Sequence, residues 1–197
     1  MAGWAEVNRV RFLTFSTDYV FGGDAWSPYL ESSPTNPINA YGRSKLEGEH
    51  LAVNRGGLVV RTSWMISGSH PNFVATMLRL AQERNLRVVD DQWGCPTVSG
   101  DLAAASYEAL QLGLRGLLHI TNDGPTTWFE LAREAVMEAG LEPELISACS
   151  TADYPTEAAR PAYSVLGSER LDGSGIVRPP HWRESLPQVV AEIKTWI

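Results

Sequence analysis

The stretch Val10-Arg11-Phe12-Leu13-Thr14-Phe15, continued by Ser16-Thr17-Asp18-Tyr19-Val20-Phe21, decides the fold of this chain. Its first half is rich enough in β-branched and aromatic residues to read as a strand over residues 10–15. Ser16, Thr17 and Asp18 then stand at the strand's carboxyl end, and Gly22-Gly23 breaks it. In an open α/β sheet, ligands bind outside the carboxyl ends of the strands, so Thr17 and Asp18 fall where chemistry would sit. The same residue types also cap turns, and the pattern alone leaves that reading open.

Next comes a polar, proline-rich loop, residues 26–37. Pro37 disfavours helix at Asn36, so a helix starts just after it, with Tyr41-Gly42-Arg43-Ser44-Lys45 in its first turns and Gly56-Gly57 at its end. Tyr41 and Lys45 stand i and i+4 on one face, within mutual reach. An ammonium beside a phenol favours phenolate, which makes such a pair a candidate acid/base. A tyrosine and a lysine four apart are also common on an ordinary solvated face.

Strands and helices keep alternating. Residues 58–66 read as a strand, and 72–84 as an amphipathic helix with Phe73, Met77, Leu80 and Ala81 at helical spacing. A short strand at 86–89 leads into the loop Asp90-Asp91-Gln92-Trp93-Gly94-Cys95-Pro96-Thr97. Ser99 opens a helix with Leu102, Ala105, Ala109 and Leu112 along one side, and 116–121 reads as a strand. Thr126-Thr127-Trp128-Phe129-Glu130 is a capped helix start running to Gly140. A weak strand at 144–149, a loop at 150–161, a single helical turn at 168–171 and an amphipathic helix at 182–197 complete the chain. This alternation predicts an α/β fold, a mostly parallel sheet with flanking helices.

With 197 residues, 44% hydrophobic and 20% charged, the composition is that of an ordinary soluble globular protein of one domain or two small ones. No apolar run approaches the ~20 residues of a membrane span. The first residues lack the basic start and apolar core of a signal peptide, so a cytoplasmic location is expected. Cys95 and Cys149 match no metal-ligand spacing and read as small buried hydrophobes. A net charge of −7 argues against nucleic acid as a partner but not against a phosphate-bearing small ligand.

Taken together, Ser16–Phe21, Asn39-Ala40-Tyr41-Gly42-Arg43-Ser44-Lys45-Leu46-Glu47-Gly48-Glu49, Arg61-Thr62-Ser63-Trp64, Asn72-Phe73-Val74, Asp91-Gln92-x-Gly94-x-Pro96-Thr97 and Ala159-Arg160-Pro161 resemble the extended short-chain dehydrogenase/reductase family. Within it they are most similar to the branch that reduces the C4 ketone of dTDP-4-dehydro-L-rhamnose. The matches run in order across nearly the whole chain, and the last two stretches distinguish this branch from the epimerases and dehydratases. The resemblance implies a truncated Rossmann-like sheet in residues 1–95 and, in 96–197, a smaller substrate-binding lobe with a returning strand and helix, the alternative being one compact domain. It implies NADPH or NADH as cofactor and a nucleotide-sugar as substrate.

Residue by residue, the resemblance implies that Tyr41 protonates the C4 oxygen. Lys45 would tune Tyr41 and hold the nicotinamide ribose, and Thr17 would hold the same C4 oxygen. Asp18 and Tyr19 would line the sugar pocket, and Trp64 would cover the sugar or the base, its alternative being an ordinary core tryptophan. Arg160 would meet the diphosphate, its alternative being an ion pair that staples a loop. Asn72, Gln92 and Thr97 are further polar candidates for substrate contact. Some members of the family hold magnesium through interface carboxylates. Here Val98-Ser99-Gly100-Asp101 supplies one acid, so no such metal is expected.

The chain departs from the family at its start. No Gly-x-Gly-x-x-Gly follows an early strand, and Gly22-Gly23 leads into a loop rather than a helix. The strand at 10–15 would ordinarily follow roughly 80–90 residues of βα units carrying that turn. Weak cofactor binding is therefore expected. The strand's bare edge is expected to pair across a homodimer or with a complementing N-terminal half. A non-catalytic homologue that binds a nucleotide-sugar or a partner protein is the alternative reading.

Overall fold

A computed structural model describes residues 1–197. The chain opens with a short helix, α1 (Ala2–Val7), and β1 (Leu13–Thr17) follows. The strand thus starts three residues later than the sequence suggests. The N–H of Val10 is taken by the Ala5 carbonyl at the end of α1, and the ladder begins only where Leu58 N–H donates to the Phe12 carbonyl. Helix α2 (Ala40–Val53) then crosses to β2 (Leu58–Thr62), which pairs in parallel with both β1 and a later strand, β7 (Gly116–His119).

In this three-stranded sheet β2 is central and every one of its residues is buried. A strand covered on both faces reads as a continuous apolar run, which explains Leu58-Val59-Val60. Alternate residues leave opposite faces. Leu58 and Val60 pack with Leu118 of β7 and with Leu102, Ala105 and Ala109 of α4 (Ser99–Gln111). Arg61 faces the other way and meets Glu49 on α2.

The second layer is a parallel pair, β4 (Leu86–Val89) and β9 (Ile146–Cys149), covered by α3 (Phe73–Ala81), α5 (Trp128–Glu138) and α7 (Trp182–Ile193). Their contact buries the largest cluster, including Val74, Leu78, Leu131, Val136, Trp182 and Leu186. Each fully buried side chain of this kind contributes roughly 1.5–3 kcal/mol. Two short pairs bridge the layers: β3 (Met65–Ile66) with β6 (Thr97–Val98), and β5 (Trp93–Gly94) with β8 (Thr126–Thr127), the latter antiparallel. One helical turn, α6 (Glu169–Asp172), closes on the first sheet through Leu171.

The strand and helix expected to return after residue 95 are β7 and α4. β4 and α3 precede that residue and belong to the second cluster, whereas α4 and β7 follow it and complete the first sheet. The chain crosses back because only a third parallel strand and a second helix cover β2 on both sides. The strand read at 58–66 also divides: it breaks after Thr62, where Trp64 takes a positive φ of 44°. No helix is long and apolar enough to cross a membrane.

Candidate functional site

At the carboxyl end of β1 the backbone tightens into a 3-10 turn over Asp18–Val20, with Thr17 as its cap: the Thr17 hydroxyl accepts from Tyr19 N–H at 3.2 Å. The same hydroxyl donates to Asp18 Oδ1 at 3.0 Å. Capping and a ligand-facing position, left as alternatives by the sequence, therefore coincide at Thr17. Helix α2 begins beside this turn. Asn39 caps it, accepting from Gly42 N–H at 2.8 Å, and its own amide donates to the Ala159 carbonyl, tying the helix start to the loop that carries Arg160. Gly42 is needed here, because a Cβ on it would lie 2.1 Å from the Tyr19 carbonyl oxygen.

That close approach sets Tyr41 over the turn, its ring edge-on to Tyr19 with 6.0 Å between centroids. Lys45, one turn on, donates to the Phe15 carbonyl at 2.8 Å. Ser16, Thr17, Asp18, Tyr41, Lys45 and Trp64 thus line one groove of about 410 Å³. Tyr41 is exposed in it, whereas Asp18 is buried. Burial pushes the Asp18 carboxyl up to about 6, against the Thr17 hydroxyl, whose hydrogen bond favours the ionised form. Burial, and then the neighbouring Asp18, push the Tyr19 phenol up, against the pull of the Arg160 guanidinium. Two buried polar atoms at the groove, Ser16 Oγ and Asp18 Oδ2, have no partner within the protein. Unpaired buried polar atoms are costly, so these two mark where a polar ligand fits.

Trp64 stacks flat on Trp128, 3.6 Å between centroids and 10° between planes. Gly94 makes room for it, since a Cβ there would lie 2.4 Å from the indole. The stacked pair is a wall. Trp64 faces the groove, and Trp128 faces a second cavity of about 580 Å³ that also holds Phe73, Arg87, Gln92, Tyr154 and Arg160. The buried Gln92 amide donates to Thr151 at 2.9 Å, and Arg87 pairs loosely with Asp153 at 3.4 Å. Its three aromatic rings, Phe73, Trp128 and Tyr154, and its three arginines, Arg84, Arg87 and Arg160, suit a base and a phosphate group.

The structure brings Thr17, Asp18, Tyr41, Lys45 and Trp64 together, with Tyr19 against them and with Gln92 and Arg160 in the second cavity. It does not bring Asn72 or Thr97 to either space. Asn72 caps α3, accepting from Ala75 N–H and donating to the carbonyls of Ser67 and His70. Thr97 is fully buried, its hydroxyl accepting from Thr62 at 3.2 Å. Both were taken up by backbone and core needs that a polar residue type does not reveal. Trp128 and Arg87 also line the second cavity. An aromatic directly after the Thr127 cap, and a lone arginine in the apolar run Leu86–Val89, are the signals that point to them.

Residues 1–195 match the family described as RmlD substrate binding domain. The chain is 40% identical over 185 residues to the spore coat polysaccharide biosynthesis protein SpsK of Bacillus subtilis, covering 92% of this chain and 64% of that protein. It is 41% identical over 184 residues to the dTDP-4-dehydrorhamnose reductase of Mycolicibacterium smegmatis, covering 90% of this chain and 56% of that one. Among solved structures, the dTDP-4-dehydrorhamnose reductase of Bacillus anthracis in complex with NADP superposes with a TM-score of 0.92 at 35% identity, over 97% of this chain and 69% of that one. A dTDP-glucose 4,6-dehydratase from the same organism shares the fold, at a TM-score of 0.84 and 16% identity. The chain therefore spans about two thirds or less of the curated relatives it matches.

Proposed function

Because the chain belongs to the family of RmlD substrate-binding domains, we propose that its groove carries out ketone reduction on a nucleotide-sugar, the reaction of a dTDP-4-dehydrorhamnose reductase. One observation carries this reading: Thr17, Tyr41 and Lys45 converge on a single groove at the carboxyl end of β1. A reduced nicotinamide cofactor, NADPH or NADH, supplies the hydride when bound. The groove fits its nicotinamide end, since Ser16 Oγ and Asp18 Oδ2 offer polar atoms that the protein leaves unpaired, and Lys45 offers an ammonium at the rim.

Tyr41 delivers the proton from its hydroxyl to the sugar's C4 oxygen as that oxygen gains charge. Lys45, held at the rim by the Phe15 carbonyl, would orient the cofactor's ribose. Thr17 turns its hydroxyl from Asp18 to the C4 oxygen, which stabilises the developing charge by a positioned hydrogen bond. Asp18 and Tyr19 bound the sugar, Trp64 covers it, and the base and diphosphate lie beyond the tryptophan wall beside Gln92 and Arg160. Titrating the chain with NADPH, and then following NADPH oxidation by dTDP-4-dehydro-L-rhamnose, tests the reading. Binding together with turnover supports it, and no binding at millimolar cofactor removes it.

The edge of β1 supports a second element, a protein partner. β1 pairs only with β2, its other edge is free, and Phe15 and Val10 beside it are exposed. A free apolar edge recruits another strand. We assign it to a second copy of this chain or to a complementing segment that adds the next parallel strand. Sedimentation of the chain alone distinguishes the two, a dimer indicating the first and a monomer the second.

A further inference from the structure

The sheet has a second end. Residues 9–12, 55–56 and 113–115 lead into the amino ends of β1, β2 and β7, and there the C-termini of α1, α2 and α4 surround a cleft of about 570 Å³. It lies across the sheet from the Tyr41 groove. Four arginines line it, Arg9, Arg11, Arg55 and Arg115, and one acid, Glu6. In a chain of net charge −7 this is a local reversal of sign.

Part of that charge has a structural task. Arg11 donates to the carbonyls of Leu110 and Gln111 at 2.9 and 3.0 Å, closing the C-terminus of α4. Arg55 pairs with Glu6 at 2.9 Å, both about half exposed. Arg9 and Arg115 are different: neither guanidinium has a hydrogen-bond or ion-pair partner, and Arg115 Nη1 lies 3.3 Å from where a Cβ on Gly56 would be. Helix dipoles do not account for the surplus. Four guanidiniums against one carboxylate leave three positive charges, whereas three helix C-termini offset only about half a charge each.

Arg9 is also one of two non-glycine residues with a positive φ, at 55°; the other is Trp64, in the candidate catalytic groove. Such backbone is uncommon outside glycine and concentrates where a ligand is held. The cleft is of small-molecule size, and guanidiniums meet phosphate oxygens through paired bonds.

We propose that this cleft is an anion site for a polyphosphate group, either inorganic or the tail of a nucleotide. Arg9 and Arg115 are its principal ligands, and Arg55 joins them by exchanging Glu6 for a phosphate oxygen. The site is independent of the ketone-reducing groove and of Arg160.

Calorimetric titration of the full chain with sodium tripolyphosphate, without divalent ions, tests this. Beside any binding at Arg160, one further site is expected, with affinity falling as salt rises from low to physiological concentration. The double variant Arg9→Gln/Arg115→Gln weakens it at least about tenfold, because two charge-assisted contacts are lost. Arg160→Gln leaves it unchanged. Arg9 and Arg115 are exposed, so the variants keep their circular dichroism. Should the double variant not fold, Arg115→Lys replaces it, and severalfold weaker binding is expected from the loss of the fork. In the Arg160→Gln background, tighter binding of a nucleoside triphosphate than of tripolyphosphate assigns the site to a nucleotide tail, and equal binding to free polyphosphate. No binding at millimolar tripolyphosphate, or wild-type binding in a folded Arg9→Gln/Arg115→Gln or Arg115→Lys variant, overturns the proposal.

Discussion

Glu49 grips Arg61 through two hydrogen bonds, 2.9 Å to Nε and 2.6 Å to Nη2, with both side chains only 2% exposed. Glu49 stands one turn beyond Lys45 on α2, and Arg61 stands on the central strand, so the pair pins the helix that carries Tyr41 to the middle of the sheet. Phe21 lies against the same guanidinium, 5.1 Å from its ring centroid, and His119 Nε2 lies 3.3 Å away. Removing one partner strands a buried charge. Glu49→Ala is therefore expected to cost about 3–5 kcal/mol in urea unfolding. An unchanged urea midpoint would show that the pair does not anchor α2.

His119 adds a pH dependence to this cluster. Its Nδ1 lies 2.8 Å from the Gly167 carbonyl, which fixes the proton there in the neutral ring, and its backbone N–H donates to Glu31. Burial pushes the imidazole down to about 4, with Glu31 pulling it up and Arg61 pushing it further down. The unfolded chain takes up the proton first. Stability from this group is complete above about 6.5 and is lost as pH falls towards 4, by roughly 3 kcal/mol at most. His119→Gln should flatten the acid limb of a stability–pH curve between those values.

Asp18 works in the opposite sense. Its carboxyl is raised to about 6, so the folded chain holds the proton that the unfolded chain releases near 3.8. Stability from this group is full below the lower value and is lost as pH rises through the higher. Asp18→Asn is expected to gain about 1–3 kcal/mol at pH 7–8 and nothing near pH 4. Denaturation of both proteins at the two pH values measures it, and equal stability at pH 8 would contradict it.

Two glycines of α2 separate packing from helix propensity. At Gly42 a Cβ would overlap the Tyr19 carbonyl, so Gly42→Ala must push the helix start away from the turn that bears Thr17 and Asp18, at about 1–3 kcal/mol. At Gly48 a Cβ would meet nothing within 4 Å, so Gly48→Ala should stabilise by about 0.5–1 kcal/mol. Thermal unfolding of the two variants should shift in opposite directions.

Much of this is written locally in the chain. The Tyr41 and Lys45 spacing and the polar end of β1 are short-range signals, and in three dimensions both line one groove. The start of β1 and the interleaving of the layers are not local. α1 is a six-residue helix with one buried residue, Ala5, so neither periodicity nor length announces it. That residues 116–119 pair with 58–62, while 86–89 pair with 146–149, follows from which apolar faces need cover, and single segments do not state that. Gln92 and Arg160 could be placed at a cavity because their loops carry family motifs. Thr97 could not, because the hydroxyl of Thr62 claims it only once β2 and β6 are adjacent.

In the proposed reaction Tyr41 delivers a proton in a groove lined by Thr17 and Lys45. The direct measurement is NADPH oxidation by dTDP-4-dehydro-L-rhamnose, with the chain and its Tyr41→Phe variant compared at equal cofactor occupancy. Loss of one hydroxyl leaves the groove's shape intact, so cofactor binding should persist while turnover falls by at least about a hundredfold. Turnover by Tyr41→Phe at the wild-type rate would rule out Tyr41 as the proton donor.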